Sequence, residues 1–324
     1  MSAAWQPRSV ATVLLAGAAL LGVPAAHAGL QASGSGLCEA SHPLSATLQD
    51  QRLQFVARLR QELQESGRSA ALIARSGLDL ARFGLRDSHA GISLRDSPNT
   101  PWSVRQLYYA CDEGQPRLFD QGLAGFLLAA DEQAQAHVTL LLLPPAPTAA
   151  LRAVALDRRQ ALHLLGAHYS ANAYAFSTIY QNCNQWVAEL LAVALAGPDL
   201  QPGAGDALRT RAQAQAWLQA HGYEPHAFTG SPWVYLLSVF VPLLHHVDHP
   251  EGDQAAAVYR VSMPASIEAF VQRQIPGTER IELCHDDTRI VVRRGWRPLG
   301  PDCTAGPGDE TQLLAGANPL PPRP

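Results

Sequence analysis

The feature that most constrains this chain is an apolar run from Trp186 to Ala196, opened by a cysteine among amides: Tyr180-Gln181-Asn182-Cys183-Asn184-Gln185-Trp186-Val187-Ala188-Glu189. Trp186, Leu190 and Val193 recur at helical spacing, and so do Val187, Leu191 and Ala194. Gly197-Pro198 stops the run as helices are stopped. Asn182 is a good N-cap, so Cys183 is expected in the first helical turn. Unpaired backbone N–H groups and the helix dipole there favour a thiolate and predict a lowered pKa. Cys183 is therefore a candidate nucleophile. The plainer expectation is a buried free thiol on a core helix.

A chain of 324 residues can build one large core or two modest domains. Hydrophobic residues at 47% and charged residues at 16% fit a globular protein. A net charge of −4 gives no reason to expect a nucleic-acid partner. Residues 1–28 read as a secretory signal: Arg8 gives the basic start, Val10 to Leu21 the apolar centre, and Ala26-His27-Ala28 the small-x-small cleavage pattern. The apolar centre is too short for a confident membrane span, so no integral span is expected in the mature protein. A periplasmic or secreted location follows. Five cysteines remain: Cys38, Cys111, Cys183, Cys284 and Cys303. In an oxidising compartment the odd count leaves one thiol over. With Cys183 free, the other four allow three pairings; the short Cys284–Cys303 separation favours that pair and leaves Cys38 with Cys111.

Along the chain, Ser45 to Glu65 reads as an amphipathic helix with Phe55, Leu59 and Leu63 on its apolar face. Ala70 to Arg75 reads as a strand. Ser88 to Leu94 and Trp102 to Cys111, around the turn Asp96 to Pro101, predict an antiparallel hairpin. Gln121 to Ala130, Thr148 to Leu165 and Arg209 to His221 read as helices, and His137 to Leu143 as a strand. Gly166 to Thr178 is a loop into the cysteine helix, and 197–206 a linker. Trp233 to Leu244, broken by Pro242, is expected as a buried segment, with an interfacial lid as the alternative. Tyr259 to Met263 predicts a strand, and Ile281 to Leu283 with Ile290 to Val292 a small hairpin. The Gly/Pro-rich residues 300–324 read as a disordered tail. The domain expectation is a signal peptide at 1–28, one α+β domain at 29–299 with a C-terminal extension from about 200, and that tail.

A thiol nucleophile needs a base. His89 stands out because it lies in a predicted strand, follows Ser88 and precedes the small residues Ala90 and Gly91, which would let a helix end approach. A third polar group should orient the imidazole. Gln106 on the neighbouring strand is the candidate, with Tyr108 on the same face and Arg105 and Tyr109 on the other. The backbone N–H of Cys183 is one oxyanion donor, with Gln181, Tyr180 and Asn182 as support. The cluster His245-His246-Val247-Asp248-His249 has metal-binding side chains, but ligation by five adjacent residues is geometrically poor. No metal or cofactor is therefore expected.

Ser88-His89-Ala90-Gly91-Ile92, followed far downstream by Asn182-Cys183-Asn184-Gln185-Trp186, resembles the circularly permuted papain-like pattern of lecithin:retinol acyltransferase-like proteins and permuted relatives of NlpC-type peptidases. In the acyltransferase motif a Glu and a His stand where this chain has Asn184 and Gln185. The resemblance implies an α+β fold in which the Cys183 helix packs on an antiparallel sheet, with Cys183, His89 and Gln106 as catalytic residues. It also implies a thiol hydrolase or acyltransferase acting on a cell-wall peptide amide or, second, a lipid-like ester. His245 or His246, downstream of the cysteine, would suit the unpermuted order. Arg86 to Gly91, Phe176 to Thr178, Tyr180 to Glu189, Asp248 to Pro250 and Tyr259 to Ser262 further resemble the bacterial secreted domain of unknown function 2145 family, which brings no established activity. The rival expectation is a non-catalytic envelope protein using the fold as a binding scaffold.

Overall fold

The computed structural model describes residues 44–128, 136–197, 208–230 and 243–315. Residues 1–28, read above as a secretory signal, Cys38, most of the expected linker and most of Trp233 to Leu244 lie outside the described residues. The chain opens with α1 (Ala46–Glu65), capped by the Ser45 hydroxyl accepting from Leu48 N–H at 3.2 Å. Strands β1 (Ala70–Ser76), β2 (Asp87–Leu94), β3 (Ser103–Ala110) and β4 (Gln115–Gln121) follow as an antiparallel meander. Then come α2 (Leu123–Leu128), β5 (Ala136–Leu142), α3 (Pro145–Leu156) and α4 (Arg158–His163). The cysteine helix is α5 (Cys183–Leu195), followed by α6 (Arg211–Ala220). A two-stranded sheet of β6 (His226–Thr229) and β7 (Val258–Val261) brackets the short α7 (Glu251–Ala255). Helix α8 (Pro264–Gln274) and strands β8 (Glu279–His285), β9 (Arg289–Arg294) and β10 (Glu310–Leu313) complete the described chain.

Eight strands form one antiparallel sheet in the order β10-β9-β8-β5-β1-β2-β3-β4. Strand alternation gives it two apolar faces. Ala71 and Ile73 with Val138 and Leu140 pack on Phe55, Leu59 and Leu63 of α1 and on Phe126 of α2. Ala70, Leu72, Ala90 and Ile92 pack on the other side against α3, α5 and α8. All thirteen residues of α5 are buried, because this helix lies between the sheet and α3, α6 and α8. The fold is α+β, as expected.

Three local expectations change. The helix predicted over Thr148 to Leu165 is two helices, broken at Asp157, whose carboxylate accepts from Arg159 and Gln160 N–H and caps the second. The small hairpin near 281–292 is β8 and β9 of the main sheet, since β8 pairs with β5 from His285↔Ala136 to Glu279↔Leu142. Residues 300–315, expected as tail, are folded: Cys303 is bridged to Cys284 of β8, and β10 pairs with β9.

Gly91 shows a close approach of a different kind from the one expected. A Cβ there would lie 2.5 Å from Val104 Cγ1 and 3.0 Å from the Arg105 carbonyl oxygen, so it is β3 and not a helix end that needs the glycine. Gly91→Ala is expected to cost about 1–3 kcal/mol through overpacking. A lowered denaturant midpoint at unchanged slope would show it, and an unchanged midpoint would refute it.

Candidate active site

The α5 start is built by amides. Asn182 Oδ1 accepts from Gln185 N–H at 2.7 Å, and its Nδ2 donates to the Ser262 carbonyl at 3.1 Å. Gln185 Nε2 donates to the carbonyls of Tyr174, Ala175 and Ser177, which shapes the loop before the helix. Asn184 Nδ2 donates to the Ser88 carbonyl at 3.1 Å and pins the helix start to β2. Cys183 therefore sits at the first helical position, free of any disulfide and buried. Cys284 and Cys303 are bridged and Cys111 is disulfide-bonded; its expected partner, Cys38, lies outside the described residues.

The β2–β3 ladder runs from Leu94↔Ser103 only to Ile92↔Arg105, while β3 stays paired with β4 as far as Ala110. His89 and Gln106 lie just beyond that last pair. His89 Nε2 and Gln106 Oε1 are 2.5 Å apart, and Gln106 Nε2 donates to Gln121 Oε1. Because Gln106 presents its oxygen, Nε2 of the imidazole carries the proton and Nδ1 carries the lone pair. The His89 ring lies 5.5 Å from Tyr108 and 5.9 Å from Phe126 between centroids, and Arg75 is its cross-strand partner on β1. The thiol and imidazole are not hydrogen-bonded to each other among the described residues. The two elements meet beside His89, where the Ser88 carbonyl accepts from Asn184 and Ala90 packs in one cluster with Cys183, while strand alternation turns the His89 ring to the other face, next to Phe126.

The electrostatics overturn the lowered thiol pKa. Burial pushes Cys183 up to about 11, against the N–H of Asn184, the Arg75 charge and the N–H groups of Cys183 and Ala90. Burial, then the Arg75 charge, pushes His89 down to about 3, against the Gln106 hydrogen bond. Near neutral pH both groups are uncharged, so the resting pair is thiol and imidazole, not thiolate and imidazolium. Tyr169 has its hydroxyl pKa pushed well up by burial, with Cys183 adding charge repulsion and a hydrogen bond. Alkylation of Cys183 in the native protein is thus expected to be slow at pH 7 and to rise through pH 10, well past the free-cysteine value of about 8.5. A rate that levels off below about pH 8 by mass spectrometry would refute this.

The expected supporting residues divide. Gln181 does not face the thiol: its amide donates to the Leu164 carbonyl at 2.8 Å and to Glu189 Oε2 at 2.7 Å, and its oxygen accepts from Gly166 N–H. It belongs to a buried knot in which Arg211 and Gln215 also bind Glu189, at 3.0 and 2.7 Å. Tyr180 stacks on His245 with centroids 4.3 Å apart and planes at 8°. Asn182 acts as the cap. In the histidine-rich segment, His249 Nε2 bonds the Asn172 carbonyl and Asp248 Oδ2 accepts from Tyr174 N–H. No group of three or more metal-type side chains among the described residues is placed to hold a metal ion. Sequence reasoning missed Arg75, Tyr169 and Gln121; the available signal for Arg75 was a charge ending an otherwise apolar strand.

The profile of a family described as an uncharacterized protein conserved in bacteria, DUF2145, matches residues 62–271, which include both β2 and the start of α5. The chain belongs to this family. No curated protein and no solved structure matches it. No helix among the described residues is long and apolar enough to cross a membrane.

Proposed function

We propose that this DUF2145 protein is an exported thiol-dependent hydrolase or acyltransferase of circularly permuted papain-like type, with Cys183 as nucleophile, His89 as base and Gln106 as the positioning residue. The observations that carry the reading are the Gln121–Gln106–His89 relay, which sets the lone pair on Nδ1, and the hydrogen bond from Asn184 to the Ser88 carbonyl, which holds the start of α5 to the strand next to His89. The sulfur attacks an amide or ester carbonyl carbon while its proton passes to His89 Nδ1. The carbonyl oxygen gains the electron pair and is met by the N–H groups of Cys183 and its neighbours. His89 then returns the proton to the departing amine or alcohol, leaving a thioester on Cys183 that water or an acceptor alcohol or amine cleaves. Since both groups rest neutral, the proton moves during attack and no ion pair is needed beforehand. To take that proton the imidazole has to turn from the Phe126 side of the sheet toward the start of α5.

A cell-wall peptide amide is the favoured substrate class and a lipid-like ester the second, consistent with the secretory signal read at residues 1–28. Purified mature protein incubated with isolated sacculi should release new amino groups, and Cys183→Ala should not. Equal release from both would sink the thiol mechanism. No release from sacculi and no acyl adduct on Cys183 with a short p-nitrophenyl ester would favour a binding scaffold.

A further inference from the structure

A small cleft, open at its mouth, runs between the sheet and helices α5 and α8. Leu72 and Ala74 of β1, Ala90 of β2, Leu141 of β5, Val187 of α5 and Ile267 of α8 line it, with Thr139 and Glu268 as its polar members. Its lining includes residues next to both members of the candidate pair. Ala90 follows His89 in β2, and Val187 lies one helical turn beyond Cys183, on the same side of α5. The Asn184–Ser88 hydrogen bond, at 3.1 Å, holds that turn against this part of β2. The space exists because Ala74 and Ala90 are cross-strand partners, where the neighbouring pair on the same face, Leu72 and Ile92, would fill it.

The lining offers no free charge. Glu268 is bound by Arg280 at 2.7 Å, and Thr139 is engaged by Asp87. A charged substituent entering the cleft would lose its hydration without finding a partner. We infer that this cleft is the acyl-side specificity pocket, and that it takes a small uncharged aliphatic group attached to the carbonyl that Cys183 attacks. The inference rests on Cys183 being the reacting atom, and it narrows the substrate to amides or esters whose acyl part carries a short aliphatic side chain or tail.

The test needs only the thiol. Alkyl methanethiosulfonates react by one step in which the Cys183 sulfur bonds the reagent's alkylthio sulfur and methanesulfinate departs. Methyl, ethyl, propyl and butyl reagents are compared by intact mass at pH 8, each rate divided by the rate with glutathione. The wild-type ratio should rise by up to about fourfold for each methylene that enters the cleft. Ala74→Leu should abolish that rise while leaving the methyl rate nearly unchanged. Leu141→Ala enlarges the far wall and should extend the rise to longer chains; it decides the matter where Ala74→Leu fails to fold. A flat wild-type profile, or profiles identical in wild type and Leu141→Ala, would overturn the pocket. A rising profile in a protein that forms no acyl adduct with any ester would support the cleft while removing the hydrolase reading.

Discussion

Replacing Glu189 with alanine is expected to cost about 3–5 kcal/mol, because it strands the Arg211 guanidinium in the core. Glu189 is fully buried on α5 and Arg211 nearly so, with Nε of the arginine 3.0 Å from the carboxylate. The remaining Arg211 nitrogens donate to the carbonyls of Ser177, Thr178 and Tyr180. Those carbonyls belong to the loop that delivers Cys183, so the loss should also loosen the site. Simultaneous replacement of both partners by apolar residues, which often rescues a buried ion pair, should not restore stability here, because the Thr178 and Tyr180 carbonyls would lose their donor, while Ser177 keeps those of Gln185 and Gln215. Burial pushes the Glu189 carboxyl up to about 6, against Arg211, Gln215 and Gln181. A folded pKa above the unfolded one means the folded state holds the proton more tightly. This contribution is therefore full below about pH 4.5 and is lost as pH rises through 6, a change of about 2 kcal/mol. Urea titrations of wild type and Glu189→Gln between pH 4 and 7 would read it. Parallel pH curves for the two proteins, or a loss under 1 kcal/mol for Glu189→Ala, would contradict the knot's role.

The parts of this site legible in the sequence were those set by local rules. Asn182 caps α5 because a short amide side chain can reach the N–H three residues on. Gln106 meets His89 because a hairpin with period-two alternation fixes which residues share a face. Longer-range features were not legible. The β5–β8 pairing joins residues more than 130 positions apart, and nothing within β8 announces its partner. The Glu189–Arg211 pair crosses a segment whose length alone does not fix the docking of α6 on α5. The thiol pKa failed for a related reason: the favourable N–H groups at the α5 start are local, whereas the burial that outweighs them comes from the sheet and the surrounding helices.

Cys183→Ala and His89→Ala are each expected to slow turnover of a short aliphatic p-nitrophenyl ester by about ten-thousandfold or more, the scale on which a nucleophile or its base is lost. The two act as one unit, so the double variant should be no slower than either single one. Gln106→Leu removes the acceptor that holds the proton on Nε2 of His89, so the imidazole can present either tautomer and turn about its own axis. That variant should lose kcat with little change in KM, because Gln106 acts through the histidine and not on the substrate. Gln106→Glu retains an acceptor oxygen and should recover part of the loss. Folding must be separated from chemistry, since His89 and Gln106 are both buried; near-identical melting curves for Gln106→Leu and Gln106→Glu would assign their rate difference to the relay. If His89→Ala turns over ester as fast as wild type while Cys183→Ala does not, the base is another group. If the losses of Cys183→Ala and His89→Ala multiply in the double variant, the two side chains work independently and the proposed proton transfer between them fails.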